Sequence, residues 1–196
     1  MVTRPPWRRL WHLVGGSFLP VFALFVPRGV LLTTAAFLAA VFVAWEITRF
    51  ISPIVNQWSV SHLSAILKPE QTRRPTGTTY ALVASLALFL LFEKHVAITA
   101  LFFLSIGDVL AGFVGESYGR HKIFKKSLEG SLACLVSCLV VALVMSGLLP
   151  VLRLPVAIAG AVTATIVELL PIPVDDNLTV PLISAGVMAL LAWYPG

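Results

Sequence analysis

Long runs of apolar residues, each broken by a short polar or proline-containing segment, dominate the pattern along this chain. A transmembrane helix needs about 20 consecutive, mostly apolar residues, and several runs approach or reach that length. The pattern predicts an all-α bundle of about seven transmembrane helices, forming one integral membrane domain over residues 1–196. The predicted spans are residues 13–26, 30–50, 79–92, 96–118, 128–149, 154–170 and 178–193.

Residues 52–68, between the second and third spans, follow a different pattern. Apolar residues recur there at helical spacing, with Asn, Gln and Ser residues between them. This pattern is typical of an amphipathic helix that lies at the membrane interface. A continuation of the second span, kinked at Pro53, is the alternative.

The composition agrees with a lipid environment and excludes an ordinary soluble domain. Charged residues make up 12% of the chain and hydrophobic residues 58%, whereas an average soluble domain has roughly 25% charged residues. The two cysteines, Cys134 and Cys138, lie in an apolar run and match no common zinc spacing. We expect them to be small packing residues on one face of a helix.

The basic residues predict an orientation. If the N-terminus is cytoplasmic, 11 of the 14 Lys and Arg residues lie on the cytoplasmic side, Arg49 among them, and Arg28, Lys94 and Arg153 lie outside. Cytoplasmic loops carry such an excess, so we expect a multi-pass membrane protein with a cytoplasmic N-terminus. The first apolar run continues to Val26 without a small-x-small cleavage site, so we expect its helix to be uncleaved. The net charge of +5 reflects this loop bias, and we expect no nucleic-acid partner.

This topology also brings the unusual polar motifs to one side of the membrane. Five separated segments carry them: His12, residues 73–77, Asp108 with the basic loop after it, Glu168, and residues 175–177. A membrane anchor has no need of such convergence. The sequence therefore predicts an active site that faces the cytoplasm.

Asp108 lies about three helical turns inside the fourth span, where a carboxylate is costly and indicates function. On an ideal helix Asp108, Gly112, Gly115 and Gly119 share an arc of roughly 60°. Tight helix packing through the glycines is one explanation. The interpretation that we favour is a slot in which the backbone approaches a ligand.

The loop after the fourth span is strongly basic. It carries Arg120, Lys122, Lys125 and Lys126, followed by Ser127. Several cations beside a helix N-terminus that Ser127 caps would form an anion site suited to phosphate. An ordinary cytoplasmic loop is the alternative. Glu129, in the first turn of the next helix, complements the helix dipole.

Oxygen donors gather on the connector before the last span. Glu168 precedes two prolines that impose an extended backbone, and Asp175, Asp176 and Asn177 follow them. One of these residues would be enough to cap the helix. Mg²⁺ is commonly held by one or two carboxylates plus substrate phosphates. Cations for phosphate and carboxylates for a metal together indicate phosphoryl or nucleotidyl transfer to a lipid head group.

These motifs resemble those of the dolichol kinase, phytol kinase and CTP-dependent diacylglycerol kinase group of membrane enzymes. The resemblance extends from Arg8 to Pro181. Because the chain is short for this group, the resemblance favours an enzyme of a bacterial-type plasma membrane. The resemblance rests on Arg8-Arg-x-x-His12, Arg74-Pro-Thr-Gly77, Gly107-Asp108 through Gly115 to Gly119-Arg120-x-Lys122, Lys126-Ser-Leu-Glu-Gly-Ser131 and Asp175-Asp-Asn-Leu-Thr-Val-Pro181.

The resemblance implies transfer of the γ-phosphate of CTP, or of ATP, to the hydroxyl of an isoprenoid alcohol or diacylglycerol. We expect Mg²⁺ to be held by Asp108 with Asp175 or Asp176, and the acceptor hydroxyl to be positioned by Glu168 or one Asp of that pair. His12 is expected to be a hydrogen-bonding partner. The predicted nucleotide-binding residues are Arg73, Arg74, Gly115, Gly119, Arg120, Lys122, Lys125, Lys126, Ser127, Glu129 and Asn177.

Two other functions remain as alternatives. A cytidylyltransferase that forms a CDP-lipid is similar in plan, but the chain lacks the His-Gly-Gly and Asp-Arg-x-Asp strings expected there and has Lys126-Ser127 in place of Lys-Asp. A small anion transporter would carry charge near the membrane midplane and repeated halves. The sequence leaves open the identity of the lipid, the choice between CTP and ATP, and a homodimer.

Overall fold

The computed structural model describes residues 6–62, 72 and 74–193, and for residues 6–9 and 11 it describes the backbone alone. Over these residues the chain is helical apart from one short hairpin and the connections, so the predicted helical class is confirmed. The elements in chain order are α1 (Pro6–Phe25), α2 (Arg28–Ile51), α3 (Pro53–His62), α4 (Gly77–Leu91), α5 (Lys94–Phe102), a π-helical segment (Phe103–Asp108), α6 (Val109–Ser117), β1 (Lys122–Ile123), β2 (Lys126–Ser127), α7 (Leu128–Leu148), α8 (Leu154–Leu169) and α9 (Asp176–Trp193).

Each predicted span coincides with helix in the structure. Among the described residues, the four helices long and apolar enough to cross a membrane are Arg28–Ile51, Lys94–Ser117, Leu128–Leu148 and Asp176–Trp193. Shorter apolar helices, His12–Phe25, Gly77–Leu91 and Leu154–Leu169, occupy the other predicted spans. The protein is thus a membrane protein, while the number of crossings and their orientation stay predictions.

The helix Lys94–Ser117 lies at the centre of the bundle. Residues 96–105 are buried throughout, and the helix packs against α1, α7 and α9. Large apolar side chains such as Phe37, Leu143 and Leu190 are exposed on the outer helix faces instead. A buried central helix surrounded by helices with apolar outer faces is the arrangement expected when lipid is the solvent.

The central helix widens into π-helical geometry over Phe103–Asp108. This segment packs closely on α7, since a Cβ added at Gly107 would lie 2.7 Å from Cys138 Sγ. Cys134 and Cys138 are both buried there, so their predicted role as packing residues is confirmed. Single π-helical turns often occur at functional sites, and here the turn ends on Asp108.

The chain breaks between α2 and α3. Ser52 adopts extended backbone, and Pro53 begins a separate short helix rather than a kinked continuation of α2. Ile54 and Trp58 on this helix are exposed, as expected of the predicted interfacial helix. Residues 63–68 of that prediction lie outside the described residues.

The basic loop after α6 forms a small hairpin that the sequence did not predict. Lys122 pairs with Ser127 and Ile123 with Lys126 in antiparallel register. Phe124, at the turn, has a φ of 54°, a left-handed conformation that is uncommon outside glycine. The hairpin ends directly at the start of α7 and so fixes the position of Lys126.

Candidate active site

Lys126 connects the hairpin to two carboxylates from other elements. Its Nζ lies 2.9 Å from Glu168 Oε1 at the end of α8 and 2.8 Å from Asp176 Oδ2 at the start of α9. The ammonium also donates to the backbone carbonyl of Glu168. Three segments that are distant in sequence therefore meet at one ammonium group.

The charge state of Lys126 follows from these contacts. Burial of the ammonium lowers its pKa, but the hydrogen bonds and charges of Asp176 and Glu168 outweigh this effect. The pKa of Lys126 therefore lies above its ordinary value, and the side chain stays protonated at neutral pH.

Close packing between α6 and α7 brings Lys126 to this position. Ser127 caps α7, as predicted, by accepting a hydrogen bond from Gly130 N at 3.2 Å. A Cβ added at Gly115 would lie 2.9 Å from Ser127 Oγ, and one at Gly130 would lie 2.7 Å from the carbonyl oxygen of Ala111. Gly119 is packed against Ser127 in the same way. Gly115 and Gly119 thus serve helix packing, whereas a Cβ at Gly112 would meet no atom within 4 Å. The predicted contact of Gly115 and Gly119 with nucleotide stays a prediction.

Asp108 lies beside this cluster. It is within electrostatic range of both Glu168 and Asp176. Glu168 is 5% exposed, and its Oε2 atom is buried without a hydrogen-bond partner among the described residues. Such an unsatisfied carboxylate oxygen is costly, which indicates that the site is built for a further donor or cation.

Asp175 has a different role from Asp176. Its Oδ1 accepts hydrogen bonds from Asn177 N at 3.0 Å and from Asn177 Nδ2 at 2.6 Å. Its carbonyl oxygen accepts from the backbone N–H groups of Leu178 and Thr179. Asp175 is therefore the cap of α9, while Asp176 directs its carboxylate to Lys126.

The other cations of the hairpin surround the cluster at the surface. Arg120, Lys122 and Lys125 are exposed. Glu129 accepts from the backbone N of His121 and lies 2.8 Å from His121 Nδ1, so it fastens the start of the hairpin to α7. Glu129 thus makes a structural contact in addition to its predicted interaction with the helix dipole. Its part in nucleotide binding stays a prediction.

A cleft opens next to Asp108. Its enclosed part has a volume of about 80 Å³, and the space reaches about 670 Å³ when the open mouth is included. Its walls come from α1, α4, the central helix and the start of α9. Its lining residues include His12, Gly15, Leu19, Gly77, Leu82, Leu101, Leu104, Ser105, Asp108 and Asn177. Asp108 thus faces an open cleft, but that cleft lies on the α1 side rather than along Gly115 and Gly119.

Of the predicted arginines, Arg73 lies outside the described residues and Arg74 is exposed. The Arg74 backbone is held by a buried ion pair that the sequence analysis missed. Arg49 donates to the Arg74 carbonyl at 3.0 Å and to Glu46 Oε2 through Nε at 3.1 Å. Arg49, which is counted among the basic residues of the cytoplasmic side, is therefore buried and paired with Glu46. Glu46, a carboxylate inside a predicted span, was the signal that could have revealed this pair.

The donor set agrees with a magnesium ion that arrives with a nucleotide. Among the residues that the structure describes, no three His, Cys, Asp or Glu side chains form a preformed metal cage. Mg²⁺ does not need one, because substrate phosphates and water complete its coordination. Two carboxyl groups, of Glu168 and Asp176, contact one ammonium, Asp108 is within electrostatic range of both, and Glu168 Oε2 is unsatisfied. This excess of oxygen donors fits a divalent cation.

Comparison with known proteins gives distant relatives. A probable chloroplastic phytol kinase of Zea mays is 34% identical over 140 residues, which cover 63% of this chain and 46% of that protein. A probable chloroplastic phytol kinase 1 of Glycine max is 34% identical over 132 residues, covering 60% of this chain and 43% of that protein. The chain thus spans less than half the length of these two relatives.

A third relative matches over more of its length. An uncharacterised protein of Rickettsia prowazekii is 25% identical over 181 residues, which cover 89% of this chain and 88% of that protein. No family model and no solved structure matches the chain. Together the matches support a distant relationship to the phytol-kinase-like proteins.

Proposed function

We propose that this chain is a Mg²⁺-dependent membrane kinase that transfers the γ-phosphate of CTP, or of ATP, to the hydroxyl of a lipid alcohol. The observation that carries the proposal is the Lys126–Glu168–Asp176 cluster with Asp108 beside it. Phosphoryl transfer depends on positioned cations and oxygen ligands more than on covalent chemistry, and this cluster has both. The similarity to two plant proteins named as probable phytol kinases supports the choice of acceptor class.

The donor would bind on the hairpin side of the cluster. Arg120, Lys122 and Lys125 are exposed cations that would contact the phosphates from the solvent side. Lys126 would contact them from the buried side, since its ammonium is held at the junction of the hairpin with α8 and α9. The N-terminus of α7, directly after the hairpin, adds a favourable dipole for an anion.

The metal would bind to carboxylates that the structure already groups. Glu168, through its unsatisfied Oε2, and Asp176 are the residues that would hold Mg²⁺. When bound, the ion supplies charge neutralisation for the phosphates during transfer. Asp175 is left out of this set because its carboxylate caps α9.

The reaction itself requires one proton acceptor. The oxygen of the alcohol forms a bond to the γ-phosphorus, and the bond from that phosphorus to the β,γ-bridging oxygen breaks. The nucleoside diphosphate leaves with the bridging electron pair, and the hydroxyl proton passes to a carboxylate of the cluster. The products are a lipid phosphate and a nucleoside diphosphate.

The proposal is tested with purified protein in detergent with Mg²⁺ and a panel of phytol, farnesol, polyprenol and diacylglycerol. CTP labelled at the α or the γ phosphate and ATP labelled at the γ phosphate are supplied in parallel reactions. We expect label in lipid from a γ position only. Label from the α position would instead show a cytidylyltransferase, and no lipid label from any donor would contradict the proposal.

A further inference from the structure

The cleft beside Asp108 has a polar end and an apolar interior. The polar end is lined by His12 of α1, Gly77 of α4, Asp108 of the central helix and Asn177 of α9. Gly77 and Asn177 lie in the first turn of α4 and α9, whereas His12 and Asp108 lie further inside their helices. Leu19, Leu82 and Leu101 line the cleft deeper along the same helices.

The length of the cleft follows from helix geometry. Seven residues separate His12 from Leu19 on α1, and eight separate Gly77 from Ser85 on α4. At 1.5 Å per residue, the cleft runs about 10–12 Å into the bundle, along the helix axes. Such a space holds the head and first part of a long chain but not the whole chain.

The cleft is not closed by a side chain where Gly15 of α1 lines it. Gly15 is exposed, and a Cβ added there would meet no atom within 4 Å. Gly16, by contrast, lies close to the central helix, where a Cβ would be 3.1 Å from Ser105 Cβ. Ser17 Oγ donates to Ser105 Oγ at 3.2 Å, which fastens α1 to the π-helical segment. The cleft is thus closed at its floor and open at Gly15, on the side of an apolar helix that would face lipid.

We infer that this cleft is the binding site for the lipid alcohol, with the hydroxyl at Asp108 and the chain running toward Leu19 and Leu101. The inference rests on the proposed function and makes it more specific. Asp108 is the carboxylate that lines the cleft and is also within electrostatic range of Glu168 and Asp176. It therefore accepts the hydroxyl proton, while the remainder of the chain leaves beside Gly15 into the lipid.

The occupant follows from the chemistry of the walls. Asp108 is the charged group at one end of a space whose walls combine leucine side chains with uncharged polar groups such as Ser85 and Ser105. Such a space matches an uncharged hydroxyl on a hydrocarbon chain. A phosphorylated or acidic lipid would place its negative charge against Asp108, which is unfavourable. Recognition limited to the first 10–12 Å also means that the length of the chain beyond that point has little effect on binding.

Binding is tested on the unmodified protein in nanodiscs with phytol that carries a photoreactive diazirine on its chain. After irradiation, the adducts are located by mass spectrometry of peptides. We expect them on residues 12–19 of α1 and 77–85 of α4, with at least about fivefold less labelling when excess phytol competes. Adducts confined to helices that do not line the cleft, or labelling that phytol does not reduce, would overturn the inference.

A matched pair of variants tests the open wall. Gly15→Leu adds an apolar side chain to the open wall, where a Cβ would meet no atom within 4 Å, and we expect it to lower labelling by the probe at least about tenfold. Gly186→Leu on α9 is the control, since a Cβ there also meets no atom within 4 Å and Gly186 does not line the cleft. Equal labelling of the two variants would overturn the inference.

Binding and transfer are separate readouts, so the two proposals fail differently. Phytol-sensitive labelling of α1 and α4 without any transfer of phosphate supports the cleft and contradicts the kinase proposal. Transfer of phosphate to phytol that Gly15→Leu leaves at the Gly186→Leu level contradicts the cleft and leaves the kinase proposal intact.

Discussion

At the scale of single residues, Lys126 is the group on which the site depends. Its ammonium forms ion pairs with both Glu168 and Asp176, which approach it from the end of α8 and the start of α9. Removing it would leave two partly buried carboxyl groups without their shared cation. The same side chain therefore stabilises the fold and prepares the site for phosphate.

Lys126→Ala should lower the free energy of unfolding by about 1–3 kcal/mol. This is less than the ~3–5 kcal/mol of a fully buried pair, because the Lys126 side chain is 28% exposed. Lys125→Ala, at an exposed neighbouring position, should change the free energy of unfolding by less than about 0.5 kcal/mol. Denaturation of both variants in detergent provides the measurement, and equal values for the two would contradict the role of Lys126.

This contribution should also depend on pH in a definite direction. Because the pKa of Lys126 in the folded protein is above its ordinary value, its contribution is complete below the unfolded pKa of about 10.4. It is lost as the pH rises through the folded pKa. The difference in the free energy of unfolding between the original protein and Lys126→Ala should thus be constant near neutral pH. It should shrink only in strong alkali.

Individual residues were predicted unevenly from sequence. The N-cap at Ser127 and the proximity of Asp108, Glu168 and Asp176 agree with the expectations, since polar residues in apolar surroundings need partners. Glycines such as Gly115 were harder to interpret. A glycine that packs a helix and a glycine that lines a ligand slot leave the same sequence pattern, and only the positions of neighbouring atoms distinguish them.

At the scale of elements, a buried ion pair on α2 positions the start of α4. Glu46 Oε1 accepts from Thr76 N at 2.6 Å and from Thr79 Oγ1 at 3.2 Å, and Arg49 donates to the carbonyl of Arg74. Thr76 in turn caps α4. Because Gly77 and Thr78 line the cleft, this pair fixes one wall of the site from the neighbouring helix.

Glu46→Ala should therefore destabilise the protein by about 3–5 kcal/mol, since it leaves the guanidinium of Arg49 buried without a counter-charge. The double variant Glu46→Ala/Arg49→Met should be less destabilised than the sum of the single variants. Glu93→Ala is the control, at an exposed position where the side chain caps no helix. Denaturation in detergent micelles gives the free energy of unfolding of Glu46→Ala, Arg49→Met, the double variant and Glu93→Ala. A Glu46→Ala protein as stable as Glu93→Ala would contradict the structural role of the ion pair.

The helices themselves could be predicted because long apolar runs in lipid have few alternatives to helix. The hairpin at residues 122–127 could not, since its strands are two residues long and polar, and it depends on packing against α7. The cleft was likewise outside the reach of sequence. Its walls come from α1, α4, the central helix and α9, and their pairing is set by tertiary packing.

At the scale of the whole molecule, the charged and polar groups of the site lie at one end of the helix bundle. The Lys126 cluster, the exposed cations of the hairpin and the polar mouth of the cleft share one end. At the other end of α1 and α4, Arg28 donates to the carbonyl of Phe89, and Lys94 donates to the carbonyl of Val26. These two hydrogen bonds join the turn after α1 to the turn after α4. The excess of basic residues at the first end predicts that it is cytoplasmic.

The orientation is tested with single cysteines and a membrane-impermeant maleimide on intact cells. Val151→Cys, in the exposed turn between α7 and α8, should be labelled from outside. Lys125→Cys, in the hairpin, should be labelled at least about tenfold more after the cells are opened. The native Cys134 and Cys138 are buried and give the background. The reverse labelling pattern would contradict the predicted orientation.

The central claim, that the Lys126–Glu168–Asp176 cluster transfers phosphate, is tested most directly by neighbouring Asp variants in the γ-label assay. Asp176→Asn should lower transfer to phytol at least about 100-fold, the size of loss expected when one charge-stabilising group is removed. Asp175→Asn should stay within about threefold of the original protein, because asparagine also caps helices. Equal loss in both variants, or full transfer by Asp176→Asn, would contradict the account.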